Sequence, residues 1–207
     1  MIAVIDYGVG NLFSLGCSFK AIGADAVVTA DPKVIRDAEK LVLPGVGAFK
    51  DAAKQLKESG LDLVIKEECA KGKILMGVCL GMQLLFDKSF EYGEWEGLSL
   101  IPGEIRPIAE RIPEGLKIPH MGWNALSMKD HPLLKYLPDP SHVYFVHSYS
   151  AICREEYVIA STEYGADLTA AVAKGNILGC QFHPEKSGER GLDILRAFCE
   201  LKEEDLC

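Results

Sequence analysis

The first half of the chain alternates short apolar runs with segments whose apolar residues recur at helical spacing. The apolar runs predict buried strands at residues 2–6, 26–30, 40–43 and 73–78. The helical spacing predicts helices at residues 11–22, 48–57 and 61–70, and another that begins at Leu80 and continues to Phe86. Such alternation is typical of a parallel sheet with helices on both faces. The unbroken apolar character of the strands agrees with burial on both sides.

The second half of the chain has a different pattern. Residues 93–119 are rich in Gly, Pro and Glu and contain only short β-like pieces. Strands are predicted at residues 143–147, 157–162, 169–173 and 177–181, and the last three are close enough in sequence to pair as hairpins. A final helix is predicted at residues 191–202. We therefore expect one α/β domain over residues 1–207, with a mostly parallel mixed sheet and an antiparallel section in the C-terminal half.

Composition and charge disfavour nucleic acid and membranes as partners. The 207 residues are 48% hydrophobic and 25% charged, as in ordinary globular proteins, and the net charge of −8 disfavours nucleic acid and anionic membranes. The longest apolar stretch, residues 74–86, has 13 residues and contains Gln83, whereas a membrane span needs about 18. The N-terminus lacks the basic region of a signal peptide. We therefore expect a cytoplasmic protein.

The seven cysteines and the other histidines give no sign of a metal site. The cysteine count is odd and no C-x-x-C occurs, so neither a zinc ribbon nor a thioredoxin-type site is supported. Most of these thiols are expected to stay reduced as small core residues. No metal-ligand spacing is present at four further histidines, for which structural roles are expected: His120, His131, His142 and His147. We expect no metal and no other cofactor.

The strongest candidate for chemistry is Cys79. A buried strand leads into Gly77-Val-Cys79-Leu-Gly81 and then into a helix, which is the nucleophile-elbow pattern with sulfur in place of oxygen. The two glycines relieve crowding around a strained central residue. The N-terminus of the following helix favours a thiolate, and the N–H of Leu80 can stabilise an oxyanion. The alternative is a core cysteine between two packing glycines.

His183 and Glu185 supply the groups that such a nucleophile needs. Proline at position 184 favours an extended conformation for His183, and in an extended chain residues two apart point to the same side. His183 can then act as a base that Glu185 orients. Taken alone, the segment is more typical of a surface turn after a strand.

Two loops contain the closely spaced glycines that are common in anion-binding loops. Gly45 and Gly47 follow a strand and could turn backbone N–H groups into a cavity, although the segment in isolation is more typical of a plain strand-to-helix loop. Residues 6–11 lack the third glycine of a dinucleotide-binding loop, because position 13 is Phe13.

These residues together resemble the class I, triad-type glutamine amidotransferases. The elbow around Cys79, His183-Pro-Glu185 and the Gly45–Gly47 loop occur in the family's order and spacing, and the match covers essentially the whole chain. The resemblance implies the three-layer fold of that family, with a catalytic triad of Cys79, His183 and Glu185. It also implies that glutamine is hydrolysed to glutamate and ammonia through a glutamyl thioester on Cys79.

Further roles follow from the resemblance alone. The oxyanion hole would use the N–H of Leu80 and one from Val46 or Gly47. The substrate glutamine would be bound by Gly45, Gln83, Ser148 and Tyr149. The residues near a partner interface would be Trp123, Tyr144 and Lys186.

Four strings narrow the resemblance to one branch of the family: residues 6–11, 119–124, 144–149 and 183–187. That branch passes ammonia to a β/α-barrel cyclase subunit in a heterodimer of histidine biosynthesis. We also hypothesise that the peptide at Val46 or Gly47 turns an oxyanion donor into the site only when the partner docks, since one such donor is worth roughly 10²–10³ in rate.

Three alternatives stay open from the sequence. The chain could serve another synthase, such as anthranilate or aminodeoxychorismate synthase. It could be a cysteine hydrolase or peptidase on a similar scaffold, or a non-catalytic regulatory subunit that keeps the fold. The intact set of Cys79, His183 and Glu185 disfavours the last of these.

Overall fold

The computed structural model of the chain describes residues 1–206, and its centre is a nine-stranded mixed sheet. Strands β1 to β4 come from the first half of the chain: Ile2–Ile5, Ala26–Thr29, Lys40–Leu43 and Ile74–Val78. The remaining strands of this sheet are β8, β9 and β11 to β13: His120–Met128, Ser141–His147, Val158–Glu163, Asp167–Lys174 and Ile177–Cys180. The strand order is β2-β1-β3-β4-β13-β12-β11-β8-β9.

The direction of the strands changes at one point in the sheet. The pairs β1–β2, β1–β3, β3–β4 and β4–β13 are parallel, whereas every pair from β13 through β12, β11 and β8 to β9 is antiparallel. The predicted mixed sheet and the hairpin pairing of its last three predicted strands are therefore confirmed.

Six α-helices accompany the sheet in residues 1–206. They are α1 to α6: Leu12–Ala21, Pro32–Asp37, Phe49–Glu58, Leu61–Ala70, Leu80–Gln83 and Gly188–Glu200. The apolar sides of α2, α3 and α4 pack with Ala3 and Ile5 on one face of β1, while α1 and α6 pack with Ile2 and Val4 on the other. Alternate side chains of β1 therefore belong to two apolar cores, one on each face of the sheet. The three layers of the fold are helix, sheet and helix.

A second sheet of four strands was not predicted. It contains β5 to β7 and β10, at Phe86–Ser89, Trp95–Glu96, Ile101–Pro107 and Tyr149–Cys153, in the order β10-β7-β5-β6. The chain enters β10 directly from β9 through Ser148. Residues 147–149 therefore connect the two sheets.

The helix predicted from Leu80 to Phe86 is wrong beyond its first turn. Helix α5 ends at Gln83, and Phe86 begins β5. The carbonyl of Leu84 accepts from the N–H of Leu98 at 2.7 Å, and the carbonyl of Leu85 accepts from Leu100 at 2.8 Å. These bonds to a distant segment replace those that would continue the helix.

The glycine at position 81 is required by close backbone packing. A Cβ built on Gly81 would lie 1.8 Å from the carbonyl oxygen of Leu43, the last residue of β3. We expect Gly81→Ala to lower the free energy of unfolding by about 3 kcal/mol, since a backbone contact of this kind cannot be relieved by a side-chain rotation. Denaturant unfolding measures the change.

A matched control is Gly16→Ala in the middle of α1, where the nearest neighbour of the new Cβ would be 3.9 Å away. This change should raise stability by up to about 1 kcal/mol because alanine favours helix over glycine. Equal effects at the two positions would contradict the packing argument.

Among residues 1–206, no helix is both long and apolar enough to cross a membrane.

Candidate active site

Cys79 lies at a sharp turn between β4 and α5. Its backbone has φ 54° and ψ −112°, a left-handed conformation that costs energy for a residue with a side chain. The backbones on either side cross closely, because a Cβ on Gly77 would lie 2.6 Å from the carbonyl oxygen of Gly81. The residue pattern thus produces the predicted elbow. Helix α5 has only four residues, so it supplies less dipole than a full helix would.

His183 and Glu185 lie beside this cysteine. They follow β13, which pairs in parallel with β4, so both segments end at the same edge of the sheet. The imidazole of His183 contacts Cys79 on one side, and its Nδ1 lies 2.8 Å from Oε1 of Glu185 on the other. The side chains of His183 and Glu185 are 3% and 1% exposed.

The electrostatics of His183 favour its charged form. Burial alone would lower the pKa of His183, but the hydrogen bonds to Cys79 and Glu185 and the charges of both raise it to about 9. A protonated imidazole in this position would stabilise negative charge on the adjacent sulfur. The arrangement therefore suits a thiol nucleophile and a histidine that holds or returns its proton.

The loop of residues 44–48, between β3 and α3, forms another wall. The hydroxyl of Tyr7 donates to the carbonyl of Pro44 at 2.7 Å, and Gly45 packs against Leu80, which a Cβ on Gly45 would approach to 2.9 Å. Gly47 has φ +90° and open space around it. This loop is anchored at its start and free of close contacts at Gly47.

These segments enclose a cavity of about 420 Å³. It is lined by Val46, Gly47, Cys79, Leu80, Gln83, Glu91, Pro119, Val146, His147, Ser148, Tyr149, His183 and Lys186. Nearly all residues predicted for the triad, the oxyanion hole and glutamine binding thus come together. Glu185 and Gly45 are the exceptions, since Glu185 bonds His183 and Gly45 supports Leu80.

Gln83 is held by a network that the sequence did not predict. Its Nε2 donates to the carbonyl of Tyr149 at 3.2 Å and to Oε1 of Gln181 at 3.0 Å. The Nε2 of Gln181 in turn lies 3.7 Å from Sγ of Cys79. Gln181 is fully buried, and its position one residue after β13 was the only available signal.

Glu91 is another residue whose role the sequence motifs did not reveal. It lies in the turn between β5 and β6, lines the cavity, and accepts a short hydrogen bond from the backbone N–H of Phe49, the first residue of α3. It is therefore a carboxylate facing the same space as Cys79.

The three residues predicted near an interface form one surface cluster. The rings of Trp123 and Tyr144 are 6.2 Å apart and nearly perpendicular, and Nζ of Lys186 lies 5.8 Å from the centre of the Tyr144 ring. Trp123 is 56% exposed. We call Trp123, Tyr144 and Lys186 the aromatic–lysine cluster; Lys186 also lines the cavity, so the cluster adjoins its mouth.

The other described cysteines have a different environment from Cys79. The six cysteines among residues 1–206 form no disulfide. Burial raises the pKa of Cys69 to about 12 and that of Cys153 to about 11, and it raises the pKa of Cys180 as well. These thiols stay protonated and pack as small apolar groups.

Comparison with known proteins gives consistent results. The family model described as class-I glutamine amidotransferase matches residues 3–201. A relative from Sulfurimonas denitrificans, called imidazole glycerol phosphate synthase subunit HisH, is 48% identical over 98% of this chain and 99% of its own. A relative of the same name from Carboxydothermus hydrogenoformans is 51% identical, covering 97% of this chain and 100% of the relative.

Solved structures agree on the fold. A crystal structure described as glutamine amidotransferase has a TM-score of 0.76 at 21% identity, covering 97% of this chain and 98% of the other. The structure of PurLQS from Thermotoga maritima has a TM-score of 0.72 at 20% identity, with 95% of each chain covered. With the family model extending over residues 3–201, the chain belongs to the class-I glutamine amidotransferase family.

Proposed function

We propose that the chain acts as the glutaminase subunit of imidazole glycerol phosphate synthase in histidine biosynthesis, as one domain over residues 1–207 that works in the cytoplasm. The observation that carries this proposal is the cavity lined by Cys79 and His183 at one edge of the sheet, with Glu185 bonded to His183 behind it. Relatives of about 50% identity, matched over nearly their full length, bear the name of that synthase subunit.

The reaction begins at the sulfur of Cys79. Sγ attacks the carboxamide carbon of glutamine, and His183 holds the thiol proton and delivers it to the departing ammonia. The product of this step is a glutamyl thioester. Water, deprotonated by His183, then hydrolyses the thioester to glutamate and restores the thiol. Glu185 keeps Nδ1 of His183 engaged, so that the other ring nitrogen faces the sulfur.

Each tetrahedral intermediate carries a negative oxygen that needs donors. The N–H of Leu80, directly after Cys79 at the start of α5, is one donor, and the peptide at Val46 or Gly47 is the other. The open space around Gly47 leaves room for that peptide to turn. Docking of the partner can thereby control whether the second donor is present.

The ammonia has to reach the cyclase without meeting bulk water, where it would be protonated. We propose that a β/α-barrel cyclase subunit docks on the side of the aromatic–lysine cluster, which adjoins the cavity. There the ammonia would be used to make imidazole glycerol phosphate and aminoimidazole carboxamide ribonucleotide. Aromatic residues of this kind are frequent anchors of interfaces.

Recognition of glutamine requires a partner for its α-ammonium group, and we assign this role to Glu91. Replacement by glutamine keeps an oxygen that can accept from Phe49 but removes the charge. We expect Glu91→Gln to raise the KM for glutamine by about 10-fold or more, with kcat changed less, since bonds to charged groups are the stronger ones. Steady-state glutamate release by the complex measures both constants; an unaltered KM would remove Glu91 from substrate binding.

The choice among synthases is tested by mixing the chain with candidate partners and following glutamine-dependent product. Only the cyclase that makes imidazole glycerol phosphate should yield product. Product with an anthranilate or aminodeoxychorismate synthase partner instead would assign the chain to that enzyme.

A further inference from the structure

A buried pair of histidines joins β8, the strand that carries Trp123, to the neighbouring strand β9 beside the cavity. His120 on β8 and His147 on β9 are register partners, and they are 3% and 6% exposed. Nδ1 of His120 lies 3.0 Å from Nε2 of His147. The ring of His120 is stacked between Phe145 at 4.8 Å and Tyr164 at 4.2 Å.

The hydrogen-bond partners determine which nitrogen carries each proton. Nδ1 of His147 lies 2.9 Å from the carbonyl oxygen of Tyr149, which can only accept, so this nitrogen is protonated. In a neutral imidazole the other nitrogen is then an acceptor. Nε2 of His147 therefore accepts from Nδ1 of His120, whose own Nε2 is left as an acceptor.

Asn124 completes the same pattern. Its Oδ1 accepts from the N–H of Ala125 at 2.8 Å, and its Nδ2 donates to the carbonyl of Glu163 at 2.8 Å, which fixes the orientation of the amide. Nδ2 also faces Nε2 of His120 at 3.3 Å. Every donor thus meets an acceptor when both histidines are neutral.

Burial keeps the two rings neutral. It lowers the pKa of His120, and it lowers the pKa of His147 to about 4. An additional proton on His147 would place two N–H groups against each other across the 3.0 Å contact.

We propose that His120 and His147 are positioning residues for glutamine binding. His147, held by His120, contacts the carbonyl of Tyr149, which also accepts from Nε2 of Gln83 at 3.2 Å. Holding this carbonyl fixes the amide of Gln83 and the 147–149 connection between the two sheets, all of which line the cavity. This inference rests on the proposed glutaminase function.

The main test compares two variants of His147 in the complex with the cyclase subunit and its nucleotide ligand. His147→Leu removes both nitrogens and should raise the KM for glutamine about 10-fold, with kcat reduced less than about 3-fold. His147→Asn places an amide N–H where Nδ1 stood and should stay within about 3-fold of the unaltered KM. An unchanged KM in His147→Leu, or equal damage in both variants, would overturn the proposal.

A change at His120 tests the proposal independently, in case the variants of His147 do not fold. His120→Phe keeps a ring between Phe145 and Tyr164 but gives His147 no donor, so the KM should rise a few-fold. The double variant, which combines His120→Phe with His147→Leu, should have the same KM as His147→Leu alone, because His120 acts through His147. If the KM increases of the two single variants multiplied in the double variant, His120 would not act through His147, and the proposal would be overturned.

Different results would contradict the positioning role and the glutaminase function. Normal glutamate release by the unaltered complex with an unaffected KM in both single variants contradicts the positioning role alone. Absence of glutamate release from the unaltered complex contradicts the proposed function and the positioning role with it.

Discussion

Replacement of Cys79 by alanine is expected to reduce glutamine-dependent turnover of the complex by at least about 10⁴-fold. The sulfur is the only group at the elbow that can form the glutamyl thioester, and no oxyanion donor compensates for a missing nucleophile. The measurement is glutamate release under saturating glutamine, with product formation by the cyclase followed in the same samples.

Two controls make this result specific. Ammonium salts should restore product formation in Cys79→Ala, because the cyclase needs only ammonia and the fold of the glutaminase is unchanged. Cys199→Ala, on α6 and away from the cavity, should keep glutamate release within about 2-fold of the original. Glutamine-dependent product from Cys79→Ala would instead favour the non-catalytic alternative.

Replacement of Glu185 by glutamine is expected to have the next largest effect, a loss of turnover of up to about 10⁴-fold. Glu185 is buried behind His183 and bonds its Nδ1 at 2.8 Å. A neutral amide can present its NH₂ group to that nitrogen, which favours the wrong tautomer and leaves the imidazolium without its counter-charge.

The pH dependence of Glu185→Gln follows from the pKa of His183. Burial lowers this pKa, while the bonds and charges of Cys79 and Glu185 raise it to about 9, so the imidazolium persists up to about that pH. Removing the carboxylate lowers the pKa. The alkaline limb of the profile of kcat/KM should therefore move to lower pH, and a limb that stays in place or moves up would contradict the assigned role of Glu185.

The parallel half of the fold was predictable because its strands are short and mostly apolar. β1 carries Ile2 and Val4 to one core and Ala3 and Ile5 to the other, so its sequence is unbroken in hydrophobicity. The antiparallel hairpin of β12 and β13 was equally visible. The elbow was predictable for a local reason, since close approach of the backbone requires Gly77 and Gly81.

Other elements depend on distant parts of the chain, and the sequence pattern did not reveal them. Leu84 and Leu85 continue an apolar run that suits either a helix or a strand, and their carbonyl bonds to residues 98–101 decide the outcome. Strand β8 alternates poorly between buried and exposed positions, and it contains Gly122. The second sheet was missed for the same reasons.

The residues of the candidate site also differ in whether a local motif reveals them. The triad residues lie in compact motifs with a chemical rationale. Glu91 lines the cavity from a turn, and Gln181, just after a strand, contacts Gln83 and Cys79 from the buried side; neither lies in such a motif. His147 acts through a backbone carbonyl. Such residues become visible only when distant segments are brought within hydrogen-bond distance.

The central claim is that this cavity hydrolyses glutamine for a docked cyclase subunit. Its most direct test is glutamate release measured for the chain alone and for the chain with the cyclase subunit and its nucleotide ligand. We expect release by the complex and a rate lower by about 10²–10³-fold for the isolated chain, because one oxyanion donor would be turned away until the partner docks. A complex that releases no glutamate would contradict the account, and an isolated chain as fast as the complex would contradict the gating by the 44–48 loop.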